Sequence, residues 1–172
     1  MSSNEMAARG EGEGYGAVFD WDAALASEIV ARHAAREGPL LPTLHDIQAA
    51  FGHVPPEAVA VLAAALNISR AEVHGVITFY HDFRTAPAGR HVLRLCRAEA
   101  CQSMGARSLA DRLLARLGVD WGGTTADGGM TVEPVYCLGL CACAPAALLD
   151  GEPLARLDDA ALASACEAVL RP

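Results

Sequence analysis

Positive charge is scarce in this chain: 13 Lys and Arg stand against 21 Asp and Glu, a formal net charge of -8. That balance argues against nucleic acid or an anionic membrane surface as the target, since both call for a cationic face. No apolar run approaches the roughly 18 residues that a bilayer-spanning helix needs. The opening Met1-Ser-Ser-Asn-Glu5 has no basic stretch followed by an apolar core, so it does not read as a secretory leader. A cytoplasmic protein is expected. No Ser/His/Asp set, paired-carboxylate motif or P-loop is recognisable, and catalytic residues are therefore expected to be absent. There is no internal repeat.

What is present is apolar material and cysteine. The chain has 172 residues, 52% of them hydrophobic, enough for one ordinary domain or a small helical domain beside a small mixed one. Some apolar surface is left over for a partner. Residues 1–19 are small, polar and glycine-rich. Their Gly10-Glu-Gly-Glu-Gly-Tyr-Gly16 contains the opening of a phosphate-binding turn. No strand precedes it, and its glutamates would repel phosphate, so a mobile tail is expected.

Residues 20–84 carry helical periodicity. A first helix is expected from Asp20 or Trp21 to about Gly38, with Leu25, Ile29 and Val30 on one face. A second opens at Pro42-Thr43, carries Leu44, Ile47 and Phe51, and closes at Gly52. A third starts at Pro55-Pro56 with Val59, Leu62, Ala63 and Leu66 in register. Ser69 and Glu72 form a capping box before a fourth, which bears Val73, Val76, Ile77 and Tyr80. Four short amphipathic helices make a small bundle.

Thr85-Ala-Pro-Ala-Gly89 is turn chemistry and marks a boundary, with a second domain over 85–172. His91 to Leu95 alternates as a strand and delivers Cys96. Ser103 to Leu117 reads as a helix stopped by Gly118. A second strand, Thr131 to Tyr136, delivers Cys137. A hairpin follows, its arms Ala147–Leu149 and Leu154–Leu157 flanking Asp150–Pro153, and Asp158 caps a last helix with Leu162, Cys166 and Val169 on its buried face. The order strand, helix, strand, strand, helix predicts an α+β fold of α/β type, a thioredoxin-like sandwich behind a helical bundle.

Cys96 and Cys101 are spaced C-x4-C, and Cys137 and Cys141 C-x3-C. Each pair follows a strand, and loops at the carboxyl ends of strands gather at one sheet edge. Four thiolates there suit a soft metal centre. The first spacing opens the plant-type ferredoxin pattern; the second departs from it. Two metals compete. Zinc accepts four cysteines on short spacers, though its ribbons more often use C-x2-C. The wider spacing favours iron–sulfur, and disulfides rank below both. An iron–sulfur centre would need backbone N–H groups directed at sulfur. Gly139 permits close backbone approach, and a helix beginning after Cys101 would add the positive end of its dipole. Arg97, beside the first cysteine, would raise the reduction potential if turned inward. Cys143 competes as a fourth ligand, whereas Cys166 reads as a small buried hydrophobe.

Leu41-Pro-Thr-Leu-His-Asp-Ile-Gln48, Ile77-Thr-Phe-Tyr80, Cys96-x4-Cys101 and Cys137-Leu-Gly-Leu-Cys141 with Ala144-Pro145 occur in that order. In these blocks the chain, over about residues 25–170, resembles the thioredoxin-like 2Fe-2S subunits of NADH-linked redox complexes. These include the 24 kDa subunit of complex I and the gamma subunit of NAD-dependent, molybdenum-containing formate dehydrogenase. The resemblance implies one 2Fe-2S cluster with Cys96, Cys101, Cys137 and Cys141 as its ligands, and leaves Cys143 at a variable position. The loop Cys96-Arg-Ala-Glu-Ala-Cys101-Gln102 looks more like the formate dehydrogenase subunit. The implied function is electron transfer with a flavin- and NAD-binding subunit, in a complex that also holds a molybdenum-containing subunit. Complex I and a NAD-linked hydrogenase are the alternative assemblies. A zinc-stabilised adaptor is the alternative of another class.

Overall fold

The computed structural model describes residues 20–171; the tail expected over 1–19 lies outside them. The described chain divides into two compact units, one ending at Pro87 and the other starting at Ala88.

The first unit is four helices. Helix α1, Ala23–His33, is capped by Asp22, whose carboxylate accepts from the N–H groups of Ala24 and Leu25 at 2.8 and 3.1 Å. It begins later than the sequence pattern suggests, because the cap sits at Asp22 and not at Asp20 or Trp21, and it stops earlier, at His33. Helix α2, Leu40–Phe51, starts before Pro42. Proline is tolerated there because N–H groups of a helix's first turn have no partner within it. Gly52, at φ 76°, closes α2 in the left-handed region. Helix α3 is Pro56–Leu66 and α4 is Arg70–Phe79. The capping box is formed in both directions: Ser69 Oγ accepts from Glu72 N–H at 3.1 Å, and Glu72 Oε2 accepts from Ser69 N–H at 2.7 Å.

Ile29, Leu44, Ile47, Phe51, Leu62 and Val73 fill the bundle core and are almost wholly buried. Gln48 fixes the chain's exit from the bundle, donating to Asp82 C=O and accepting from Arg84 N–H, each at 2.7 Å. Tyr80 falls just beyond α4 and is exposed, so the apolar face of that helix is Val73 and Ile77, with Val76 at its margin.

The second unit is a four-stranded sheet ordered β2-β1-β3-β4, with helices: β1 His91–Cys96, α5 Glu99–Ser103, α6 Ala106–Leu117, β2 Met130–Val135, β3 Ala146–Leu149, β4 Glu152–Ala155 and α7 Asp159–Leu170. β1 and β2 are parallel, with Cys96 opposite Val135. β1–β3 and β3–β4 are antiparallel. Both arms of the hairpin pair, so the sheet has one strand more than the expected order counts. Its turn is the tight pair Asp150-Gly151, both at positive φ (53° and 89°), which matches the right-handed twist of the arms. Pro153, which cannot donate to a ladder, sits on the edge strand β4. Asp158 caps α7, accepting from Ala161 N–H at 2.7 Å, and Cys166 is buried on its inner face, as expected. Leu93, Met130, Val132, Ala147 and Leu162 anchor the core. None of the described helices is long and apolar enough to cross a membrane.

The helix expected from Ser103 is in fact two. α5 begins before Cys101, and Gly105 at φ 89° breaks the chain before α6. Glycine reaches that conformation without the steric cost a Cβ would bring.

Replacing Ser69 by alanine is expected to lower the unfolding free energy by about 1 kcal/mol in urea melts at neutral pH. The Ser69 N–H holds the Glu72 carboxyl below the ordinary carboxylate pKa. Its contribution is therefore complete above that ordinary value and is lost as pH falls through the lowered one. Glu72→Gln should destabilise at pH 7 and match the wild type in acid, where Glu72 is itself protonated.

Candidate metal centre

Parallel pairing of β1 and β2 brings the carboxyl ends of both strands to one edge of the sheet. The antiparallel β3 starts at that same edge, since Ala147 pairs with Leu95. The loop from Tyr136 to Pro145 therefore leaves and returns beside Cys96. Cys96 is the last residue of β1, and Cys101 lies in α5, whose chain is held by Gln102 donating to Arg97 C=O at 2.6 Å. Arg97 N–H in turn donates to Val135 C=O at 2.7 Å, which ties the first cysteine loop to the end of β2.

Cys137 does not end the second strand: β2 stops at Val135 and Tyr136 intervenes. Cys137 takes φ 125°, a region that side-chain-bearing residues rarely adopt. Gly139, at φ 76°, completes the turn and its N–H donates to Cys137 Sγ at 3.4 Å. Cys141 opens a short 3₁₀ turn that ends at Cys143, and a cis Ala144-Pro145 bond leads into β3.

The sulfurs fall into two pairs. Cys137 and Cys141 have their sulfurs 4.0 Å apart, and Cys96 and Cys101 share one buried cluster. Cys96 pushes the thiol pKa of Cys141 up, and Cys141 does the same to Cys101, so the two pairs are neighbours. All six cysteines are free thiols. Cys143 is half-buried and, among the described residues, joins neither pair.

Burial differs between the pairs. Cys96 and Cys101 are 5% and 2% exposed, packed with Ala106 and Ala146 and flanked by Val135, Leu138 and Leu140. Cys137 and Cys141 are exposed, beside the exposed ring of Tyr136. Burial pushes the Cys101 thiol pKa up, and the neighbouring Cys96 adds to this; the backbone N–H of Ala146 opposes it. Cys141 is raised by its hydrogen bond with Cys137. Thiolates crowded this closely repel, so the site holds protons unless cations replace them.

The two candidate centres ask for different arrangements. A mononuclear zinc needs all four sulfurs around one point, about 2.3 Å from the metal. A 2Fe-2S cluster takes two thiolates at each of two irons, and two neighbouring pairs suit it. The donor set fits as well: soft sulfur, a dry apolar wall on one side, and backbone N–H groups from Gly139 and Ala146 on sulfur. The residues present fit the cluster.

The sequence located the cysteines and one of two supports. Helix α6 begins at Ala106, which shares one buried cluster with Cys96 and Cys101, so its positive end lies beside the inner pair, as expected. The second support is the backbone of Ala146, which favours the Cys101 thiolate. It was invisible in sequence because it depends on the antiparallel return of β3.

The family model of the thioredoxin-like 2Fe-2S ferredoxin matches residues 26–169. An NADH-quinone oxidoreductase subunit of Pseudomonas aeruginosa is 39% identical over 106 residues, 62% of this chain and 64% of that protein. The NADP-reducing hydrogenase subunit HndA of Solidesulfovibrio fructosivorans is 34% identical over 110 residues, 64% of each. Among solved structures, a NAD+-reducing NiFe-hydrogenase in its air-oxidized state matches with a TM-score of 0.63 at 30% identity. That match covers 76% of this chain and 22% of the hydrogenase chain. The chain thus spans less than two thirds of the length of these relatives. A family match across nearly the whole described chain agrees with the two thiol pairs at the sheet edge: this chain belongs to the thioredoxin-like 2Fe-2S ferredoxins.

Proposed function

We propose that this chain is an electron-transfer subunit of a cytoplasmic NAD-linked oxidoreductase, with Cys96, Cys101, Cys137 and Cys141 holding its one 2Fe-2S cluster. The observation that carries the reading is the pairing of four thiols at one edge of the sheet, two buried and two open to solvent. When bound, the cluster supplies one-electron chemistry. The chain's own residues do the rest. Apolar side chains around Cys96 and Cys101, Leu138 and Leu140 of the second cysteine loop among them, exclude water from one side, while the backbones of Gly139 and Ala146 offset negative charge on sulfur. The exposed Cys137–Cys141 side leaves a short path for an electron to a partner. The relatives' names support a partner that handles a nicotinamide nucleotide, and a flavin- and NAD-binding subunit is the one we propose.

Two supports point to different terminal sites. The Cys96–Gln102 loop favours a formate dehydrogenase with a molybdenum-containing subunit, whereas the named relatives favour a quinone- or hydrogen-linked complex. Purification of the native assembly decides between them: molybdenum in a co-purifying subunit supports formate oxidation, and nickel or a quinone-reducing assembly overturns it.

Anaerobically purified chain is expected to be red-brown and to give a one-electron EPR signal after dithionite reduction. Colourless protein with stoichiometric zinc would defeat the reading in favour of the adaptor. Cys137→Ser should reduce cluster content severalfold or alter its spectrum. Cys143→Ser should leave both colour and signal intact, and bleaching by that variant would move the fourth ligand to Cys143.

Loading should also depend on pH. Metal ligands bind as thiolates, and the raised pKa values of Cys101 and Cys141 keep protons on the empty site. Reconstitution of apo-protein with iron and sulfide is expected to become more complete from pH 7 to pH 9. A yield that falls over that range, with the reagents still in solution, contradicts the sign.

A further inference from the structure

Beside the first cysteine lies a cation whose direction the sequence leaves open. The Arg97 guanidinium carbon sits 4.8 Å from the centroid of the Trp121 ring. At that distance the charge is attracted by the ring's π face. Arg97 is half-buried, and its backbone is fixed on both sides: its N–H donates to Val135 C=O at 2.7 Å, and its C=O accepts from Gln102 Nε2 at 2.6 Å. The same Gln102 amide accepts from Arg107 at 3.1 Å, which brings a second cation to the place. Trp121 is itself held, since Gly122 N–H donates to Val132 C=O at 2.8 Å. Cys96, Arg97, Gln102, Arg107, Asp111 and Trp121 line one cleft. Its formal charges are two cations and the single carboxylate of Asp111, so the cleft is net positive.

We infer that Trp121 is a positioning residue that clamps the Arg97 guanidinium in the cleft that Cys96 also lines, where its fixed charge makes the cluster easier to reduce. The inference rests on the proposed ligand role of Cys96. A 2Fe-2S centre on four thiolates is already anionic, and reduction adds one electron to it with no compensating proton in this proposal. A nearby positive charge favours the more anionic state, more strongly where the charge is part-buried and poorly screened. A free Arg97 would spend its time in water, with most of that influence lost. Trp121 lies far from the cysteine motifs in sequence, which is why no spacing rule marks it.

The test is a dithionite titration of the anaerobically loaded full chain with redox mediators, read by visible absorption and EPR. Arg97→Gln is expected to lower the equilibrium constant for accepting the electron about tenfold, equivalent to about 59 mV for a one-electron couple. Trp121→Leu keeps the charge yet should lower the potential by part of that amount. It should also make the potential respond more steeply to salt between about 0.05 and about 0.5 M, because the released guanidinium is screened. Arg97→Lys, which keeps a charge but cannot stack its planar head, should fall between Arg97→Gln and wild type, and stands in if Arg97→Gln does not load. Wild-type potentials in Arg97→Gln, or in Trp121→Leu at both salt concentrations, would overturn the inference. A wild-type chain with no visible iron–sulfur absorption would instead defeat the cluster reading itself.

Discussion

Everything at the site depends on the parallel pairing of β1 with β2 in the register that sets Cys96 opposite Val135. Parallel strands end together, so two segments more than thirty residues apart in sequence place their following loops side by side. The antiparallel β3 then returns at the same edge and presents the N–H of Ala146 to Cys101. A register slip of one residue would turn Leu93 and Leu95 off the core face and carry Cys96 away from its partner. The hydrophobic core and the gathering of the cysteine loops are therefore specified by the same ladder.

The site combines opposing demands. Thiols crowded together repel as thiolates, which the raised pKa values of Cys101 and Cys141 express. A cluster held there would resolve that repulsion, and the small residues Ala106 and Ala146 around the inner pair keep water away from it. The outer pair faces solvent beside Tyr136. One side protects the centre and the other leaves it reachable, which is the arrangement that electron exchange with a partner requires. The positive φ of Cys137 is the local backbone cost of turning the chain back within four residues so that Cys137 and Cys141 meet.

Much of this was legible in the residues. The capping box at Ser69 and Glu72, Gly52 and Gly118 as helix stops, and Asp158 as a cap all act through local chemistry, so local patterns revealed them. The two cysteine pairs were legible for the same reason. Features set by tertiary contact were not. The exposure of Tyr80 depends on how neighbouring elements pack, whereas the cap at Asp22 and the break at Gly105 are local features that the periodicity did not single out. Pro42 misled because its usual place at a helix start is a preference, and the two preceding positions were also free to be helical. The donor at Ala146 and the ring at Trp121 reach the site only through the sheet and the folded β2 entry, and no spacing in the sequence carries them.

The central claim is that neighbouring thiol pairs at one sheet edge hold a dinuclear iron centre. Metal and acid-labile sulfide analysis of the chain, isolated without oxygen from its own host, addresses it most directly. The account predicts two irons and two sulfides per chain, as the 2Fe-2S family has. One zinc per chain with no labile sulfide would contradict it.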